Sequence, residues 1–258
     1  MFDEICQMRT VPLSQRKTEM KIVAISDIHG NLPGKEKLKD YSLPEADVLC
    51  ICGDIVPLEF QRDLFLSEYW FDNVFGPWAA DLPYKKILVI PGNHDFYLYD
   101  QIVDRKKTPV GFSRDISGKT LLLCDNCFDY EGISFYGTPW VPDLKGWAFY
   151  KNDSDLYSAY SKIPKVCDVL LTHCPPALGS QGTILQRGYN YLSSFGSKVL
   201  ADILHERDIR FVLSGHVHTG AHYEEYFENH TGHTTSMRNV SLLDEDYNVC
   251  YDPFVFTV

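Results

Sequence analysis

Several features that mark particular classes of protein are absent from this 258-residue chain. No apolar run approaches the ~20 residues that a transmembrane helix needs, so we expect no contact with a membrane. The first residues, Met-Phe-Asp-Glu-Ile-Cys-Gln, contain neither a basic region nor an apolar core, so we predict no secretory signal and a cytoplasmic location. Linkers, low-complexity tracts and internal repeats are also missing. We therefore expect an irregular lead over residues 1–20 and a single domain over residues 21–258.

The chain also lacks an excess of positive charge. Its formal net charge is −11, and no basic stripe is present to displace counterions from a phosphate backbone, so stable nucleic-acid binding is not expected. Small phosphate compounds are not excluded, because bound divalent cations can attract a phosphate to an otherwise acidic protein.

A second Cys-x-x-Cys pair is missing as well. Cys124 and Cys127 form one such pair, whereas a structural zinc site of this type needs two. Without an export signal, we expect the eight cysteines to be free thiols in a reducing compartment, mostly buried and unreactive.

Five short apolar runs each end at a polar side chain that can bind a metal. The five ends are Asp27-Ile-His29, Gly-Asp54, Gly-Asn93-His94-Asp95, Thr-His173 and Gly-His216-Val-His218. Runs of four to six aliphatic residues bounded by Gly, Pro or Asp are typical of buried strands. Because ligand sites in open α/β sheets lie beyond the carboxyl ends of the strands, this pattern predicts a metal site at one sheet edge.

The order of the elements predicts the fold class. Strand-like runs alternate with helical patterns in the first half of the chain, and the end is rich in β-like segments. We predict helices over residues 59–80, broken at Gly76-Pro77, and 195–207, with further strands over 121–123, 132–137, 235–243 and 248–258. The expected fold is α/β, with two mixed β-sheets packed face to face and flanked by helices.

Each polar motif is weak evidence when taken alone. Asp27-x-His29 can be a turn after a strand, Asp54 can cap a helix, and His216 with His218 can lie in an exposed turn. Together they form a set of carboxylate, imidazole and amide ligands without thiolate, which fits manganese, iron, zinc or cobalt. The set is too large for one tetrahedral zinc, so two adjacent divalent ions are the simplest solution.

The ordered motifs Asp-x-His, Gly-Asp, Gly-Asn-His-Asp, Thr-His and Gly-His-x-His resemble those of the calcineurin-like metallophosphoesterase superfamily. The resemblance runs from Ile22 to about Ala221. It implies one metal held by Asp27, His29 and His218, and a second held by Asn93, His173 and His216. It further implies that Asp54 bridges the two ions and that His94 assists the leaving group without binding a metal.

A narrower resemblance concerns the substrate. Gly137-Thr-Pro-Trp-Val-Pro, Trp147-Ala-Phe and Leu171-Thr-His-Cys-Pro-Pro-Ala-Leu-Gly are similar to the branch of brain and fetal metallophosphoesterase-domain proteins. This similarity implies phosphodiesterase activity on cyclic nucleotides, although residues 180–193 depart from the branch. The Asp-Arg-Gly of serine/threonine protein phosphatases is replaced by Ile55-Val56-Pro57, which argues against a phosphoprotein substrate.

The expected chemistry is hydrolysis of a phosphoester. A water shared by two cations has a lowered pKa, which makes hydroxide available as the nucleophile, and His94 can donate a proton to the departing alkoxide. Asp95 either orients His94 or caps the following segment. The aromatic residues nearby either stack on a base or simply pack; they are Phe96, Tyr97, Trp140 and Trp147.

We therefore expect a dinuclear-metal phosphodiesterase that acts on a small or nucleotide diester. The alternatives are a phosphomonoesterase or protein phosphatase, and a non-catalytic nucleotide-binding module on the same fold. A metal-dependent amide or lactone hydrolase also uses clustered His and Asp, but it would not predict the amide ligand of Gly-Asn-His-Asp.

Overall fold

The computed structural model describes residues 19–35, 38, 41–109, 112, 118–185 and 192–258. Apart from residues 19 and 20, the predicted lead lies outside the described residues. The strands in chain order are β1 (Lys21–Ile25), β2 (Val48–Cys52), β3 (Lys86–Ile90), β4 (Thr120–Leu122), β5 (Asn126–Tyr130), β6 (Ile133–Thr138), β7 (Val166–Thr172), β8 (Thr183–Leu185), β9 (Leu192–Ser194), β10 (Asp208–Ser214), β11 (Glu225–Glu228), β12 (Thr234–Asn239) and β13 (Phe254–Thr257). The α-helices are α1 (Leu64–Trp70), α2 (Gly76–Asp81), α3 (Phe96–Tyr99), α4 (Asp153–Tyr160) and α5 (Lys198–Leu204).

Two mixed sheets form the centre of the fold. The first has the strand order β13-β1-β2-β3-β4, in which only β13 runs antiparallel to its neighbour. The second has the order β11-β12-β10-β7-β6-β5, with a parallel centre and an antiparallel strand at each edge. Strands β8 and β9 form a separate antiparallel pair.

The two faces of each central strand pack into different apolar clusters. In β1, Ile22 and Ala24 belong to an apolar cluster that also contains Val169 and Leu213 of the second sheet. The alternate residues Val23 and Ile25 belong to a second cluster that contains helical residues. Because successive side chains in a strand point to opposite faces, one face packs against the other sheet and one against helices. The predicted α/β fold, with two mixed sheets flanked by helices, is confirmed.

Several predicted boundaries differ from the structure. Gly76-Pro77 does not break the first helical region, because α1 continues through a π-helical turn (Phe71–Phe75) directly into α2. Pro77 directly follows the π-helical turn, where the shifted hydrogen-bond register accommodates its missing N–H group. The predicted helix over 195–207 is shorter, since the Ser197 side chain accepts a hydrogen bond from the Leu200 N–H and begins α5 there. Strands β5 and β11 were not predicted, and their half-exposed residues give a weak apolar signal.

The cysteine prediction is confirmed only in part. Among the cysteines that the structure describes, six are free, and four of these are buried, namely Cys50, Cys52, Cys167 and Cys174. Cys127, however, forms a disulfide. The prediction missed it because disulfide pairing depends on proximity in the fold and cannot be read from spacing alone.

None of the helices in the described ranges is long and apolar enough to cross a membrane.

Candidate metal centre

The carboxyl ends of five parallel strands bring the predicted ligands together. Residues after β1 and β10 form the first group, in which the ligand atoms of Asp27, His29 and His218 lie within 4.8 Å of one another. Residues after β2, β7 and β10 form the second group, in which Asp54, His173 and His216 meet the same limit.

Asp54 connects the two groups. Its Oδ2 atom lies 3.3 Å from His173 Nε2 and 3.8 Å from His29 Nε2, so one carboxylate faces a ligand candidate of each group. The side-chain oxygen of Asn93 lies 3.0 Å from His173 Nε2, which places the amide in the second group. The structure thus brings together all seven residues that the sequence predicted as ligands.

The backbone is strained at four of these residues. Their φ angles are positive, at 53° for Asp27, 41° for His29, 51° for Asp54 and 67° for His216. Residues other than glycine rarely adopt this left-handed conformation, and such strain persists where the surroundings impose it, often at functional sites. The strained backbone at these four residues directs their polar side chains into one site.

Two glycines permit close approach of the strand ends. A Cβ atom on Gly92 would lie 2.2 Å from Asp54 Oδ1, and one on Gly215 would lie 2.2 Å from Asp27 Oδ2. Both distances are far inside van der Waals contact, so any larger residue would displace a carboxylate of the site.

Backbone groups orient the imidazoles and carboxylates. Nδ1 of His173 lies 2.8 Å from the Cys52 carbonyl oxygen, and Nδ1 of His218 lies 2.9 Å from that of Asp244. Each Nδ1–H therefore donates to a carbonyl, which leaves Nε2 as the free ligand atom. Asp27 in turn accepts the His216 backbone N–H at 3.0 Å.

Charge attraction outweighs burial at the carboxylates. Burial by itself raises the pKa of Asp27, but its hydrogen bond with His218 and the charge of that histidine lower the pKa to about 2. At Asp54, burial is likewise outweighed by His173 and His94, and the pKa lies well below its usual range. The pKa values of the two histidines that face these carboxylates are raised. Burial by itself lowers the pKa of each imidazole, but Asp54 raises that of His173 to about 9, and Asp27 raises that of His218 to about 9.

The remaining two imidazoles are neutral. Burial lowers the pKa of His29 to about 4 against the attraction of Asp54. Burial, together with repulsion from His173, lowers the pKa of His216 to about 4. Neutral imidazoles keep the lone pair that a metal requires.

His29 supplies a direct test of whether a cation fits this space. Its ring is buried, and within the described part of the chain neither Nδ1 nor Nε2 has a hydrogen-bond partner. Buried polar atoms without partners are rare and are commonly explained by an ion or a water. With carboxylate oxygens nearby, a divalent cation satisfies His29 and the charges of Asp27 and Asp54 together.

His94 borders the centre but has a different environment. Its side chain is 13% exposed, and Nε2 lies 3.8 Å from Asp54 Oδ2. Nδ1 is hydrogen-bonded to Oε1 of Gln61, an acceptor, so Nδ1 carries a hydrogen. The Trp147 ring lies 4.6 Å from the His94 ring, and the exposed Arg62 guanidinium lies 4.9 Å from that of Trp147. His94 is therefore positioned by side chains outside the ligand set and is partly exposed.

Asp95 was predicted either to orient His94 or to cap the following segment, but its hydrogen bonds are made elsewhere. The Asp95 carboxylate is fully buried and accepts the backbone N–H groups of Ile55, Val56 and Gly92 at 2.8–3.0 Å. It makes no side-chain cap at the start of α3 either. Because Ile55 follows Asp54 and Gly92 precedes Asn93, Asp95 joins the two loops that carry these ligand candidates.

Two predicted substrate-binding aromatics lie in the core. The Trp140 ring is 6% exposed, its Nε1–H donates to Asp125 at 2.8 Å, and Lys151 Nζ lies 4.0 Å from the ring centre. Tyr97 is 2% exposed and stacks on Phe71. Both rings are enclosed by packing, which favours the packing alternative over the predicted substrate contact.

Two residues near the centre were not predicted. Gln61 contacts His94 from the loop before α1, and Tyr247 lies 5.1 Å, ring to ring, from His29. Neither belongs to a strand-end motif, and no spacing rule connects them to their partners. The helix start at Asp63-Leu-Phe-Leu was the one local signal that a loop ends next to Gln61.

Two β-sheets flanked by helices, with His, Asp and Asn side chains clustered at the strand ends, define a metal-binding phosphoesterase fold. The family model for calcineurin-like phosphoesterases matches residues 20–220, and the chain belongs to this family. The chain is 26% identical to a UPF0046 protein of Caenorhabditis elegans over 93% of its own length and 60% of that protein, so it spans less than two thirds of this relative. It is 25% identical to human metallophosphoesterase domain-containing protein 1, over 91% of this chain and 70% of the human protein. The predicted superfamily and branch are confirmed.

Proposed function

We propose that this protein is a dinuclear-metal phosphodiesterase that hydrolyses a small or nucleotide diester. The observation that carries the proposal is the position of Asp54, which faces ligand candidates of both groups while His94 stands beside it with its Nδ1 already bonded to Gln61. Family membership and the candidate ligands support a metal-dependent phosphoesterase.

Seven residues would hold the two ions. Asp27, His29 and His218 would hold one ion, Asn93, His173 and His216 the other, and Asp54 both. When bound, divalent ions such as Mn, Fe, Zn or Co polarise a phosphoryl group and lower the pKa of water. The protein's share is to fix ligand orientation through the Cys52 and Asp244 carbonyls and to keep the ligands buried.

His94 is the proposed general acid. Its Nδ1–H donates to Gln61, and this hydrogen bond holds the ring with Nε2 at 3.8 Å from Asp54 Oδ2. From Nε2 a protonated imidazole can donate to the departing alkoxide oxygen, which avoids release of a strongly basic leaving group. Asp95 holds the two loops on which Asp54 and His94 lie, and does not itself contact substrate.

Two observations favour a diester substrate over a phosphoprotein. Ile55-Val56-Pro57 follows Asp54 in place of the Asp-Arg-Gly of serine/threonine protein phosphatases. The relatives include human metallophosphoesterase domain-containing protein 1, in keeping with the branch on which the diester prediction rests.

The proposal is tested by loading the metal-free protein separately with Mn, Fe, Zn and Co. Metal content is measured beside turnover of bis(4-nitrophenyl) phosphate and 4-nitrophenyl phosphate. We expect two metals per chain and faster turnover of the diester. Faster turnover of the monoester would instead indicate a phosphomonoesterase. Two bound metals with no turnover of either compound would support a non-catalytic binding module and overturn the proposal.

A further inference from the structure

Tyr247 lies over the ligand candidates of the first group. Its ring centre is 5.1 Å from that of His29 and 5.3 Å from that of His218, with interplanar angles of 85° and 87°. On its other side, His29 contacts the His94 ring at 4.7 Å. Tyr247 and His94 therefore flank the same buried imidazole, and both side chains are partly exposed.

The loop that carries Tyr247 is hydrogen-bonded to a ligand candidate of the metal centre. The carbonyl of Asp244 accepts both the Nδ1–H of His218 and the backbone N–H of Tyr247, at 2.9 and 3.0 Å. The Asp244 carboxylate accepts the N–H groups of Asp246 and Asn248 at 2.9 Å each. The same residue thus orients a ligand candidate and closes the turn that presents Tyr247.

The conformation of Tyr247 is costly. Its φ angle is +59°, a left-handed value that is unfavourable for a bulky side chain. Strain of this kind persists where the surrounding structure imposes it, and it clusters at active sites and ligand clamps. A tyrosine needed only to fill space would not require it.

The hydroxyl of Tyr247 has nothing to bind within the described chain. The residue is 40% exposed, and no described residue makes a hydrogen bond with its hydroxyl. Among the described residues, the neighbouring Glu245 carboxylate accepts the Thr219 hydroxyl at 2.7 Å and makes no hydrogen bond with the Tyr247 hydroxyl. A free phenolic O–H at the mouth of a cationic site is a donor suited to an anionic oxygen.

We propose that Tyr247 is a substrate-binding residue whose hydroxyl donates a hydrogen bond to a non-bridging oxygen of the bound phosphoryl group. The inference deepens the proposed function and rests on it for the reaction, but not for the binding of phosphate. Because the contact is to the phosphoryl group, its effect is independent of the leaving group, which separates Tyr247 from His94.

The test uses Tyr247→Phe, which removes the hydroxyl and keeps the ring against His29 and His218. The matched control is Tyr157→Phe, since Tyr157 is 60% exposed on α4. Metal content is measured first, then the dissociation constant of inorganic phosphate from the metal-loaded protein by calorimetry. A hydrogen bond to a charged group predicts about tenfold to hundredfold weaker phosphate binding for Tyr247→Phe, with unchanged metal content, and no change for the control.

Turnover supplies a second measurement. The kcat/KM of Tyr247→Phe should fall by a similar factor on methyl 4-nitrophenyl phosphate and on methyl phenyl phosphate. Equal phosphate affinity in the variant and the wild type, absence of phosphate binding by the wild type, or loss of metal from the variant would each overturn the inference. If the wild type binds phosphate but hydrolyses neither diester, the proposed function fails while the phosphate comparison still decides the role of Tyr247.

Discussion

Oδ2 of Asp54 lies 3.3 Å from Nε2 of His173, and both side chains are almost completely buried. The contact joins a carboxylate to a protonated imidazole where a cation is proposed to bind. Asp54→Asn would remove the negative charge that faces both ligand groups. We expect this variant to lose metal and activity together, whereas Asp63→Asn, at an exposed helix cap, should keep both. Metal content after dialysis, measured beside turnover, checks the expectation; an Asp54→Asn protein that retains two metals would contradict the bridging role.

Metal binding should release protons. Without a metal, attraction to Asp54 and Asp27 raises the pKa of His173 and His218 to about 9 each, so both are protonated at pH 7. A metal needs the neutral imidazole, so binding at pH 7 should release about two protons per chain, and fewer as the pH rises above about 9. Affinity should therefore increase with pH over the same range. Calorimetry in buffers of different ionisation enthalpy measures the release, and His230→Gln, at a surface histidine, is the control. Release that does not change between pH 7 and 10 would contradict the assignment.

The contact between Gln61 and His94 predicts a dependence on the leaving group. His94→Ala should lower kcat on methyl phenyl phosphate by about 10²–10⁴-fold with unchanged metal content, because one positioned acid is lost. The loss should be smaller with nitrophenol, which leaves without help. Gln61→Met keeps the length of the side chain but removes the acceptor, so it should show the same pattern to a smaller degree. Full activity of His94→Ala on the phenyl diester would exclude the proposed acid role.

Asp95 offers a separate test of how the loops are held. In Asp95→Asn an amide N–H₂ would face backbone N–H groups of Ile55, Val56 or Gly92 in a fully buried position. An unpaired buried donor costs about 1–3 kcal/mol, so the melting temperature should fall by about 2–12 °C. Metal affinity should fall as well, because the loops of Asp54 and Asn93 lose their shared anchor. If the variant melts like the wild type, the carboxylate is not the anchor that its contacts indicate.

The ligand candidates were predictable from the sequence because they follow apolar strands directly. A residue one or two positions beyond a buried parallel strand, such as Asp27 or His173, must emerge at the carboxyl edge of its sheet. Gln61 and Tyr247 lie on loops, and the path of a loop depends on tertiary packing that no local pattern records. Edge strand β11 was missed for a different reason: it has only four residues and none of them is buried, so Glu-Tyr-Phe-Glu carries no apolar alternation.

Aromatic side chains were the least predictable part of the site. Trp140 and Trp147 lie close together in sequence, and an aromatic residue serves equally well in a core or on a ligand. The structure separates them. Trp140 is enclosed between Asp125, Phe149 and Lys151, whereas Trp147 is partly exposed beside His94.

This difference predicts opposite results for the two tryptophans. Trp140→Ala should lower stability by about 3–5 kcal/mol, through lost packing and a lost hydrogen bond to Asp125, and the melting temperature by about 6–20 °C. It should leave the relative rates on different diesters unchanged. Trp147→Ala should melt close to the wild type, but weaken a base-bearing diester by about five- to 150-fold, the usual worth of one stacked base. The measurement compares thymidine 5′-(4-nitrophenyl phosphate) with methyl 4-nitrophenyl phosphate on both variants. If Trp140→Ala loses activity selectively on the thymidine diester and melts like the wild type, Trp140 belongs to the substrate site. If Trp147→Ala loses activity equally on both diesters, Trp147 does not bind the base.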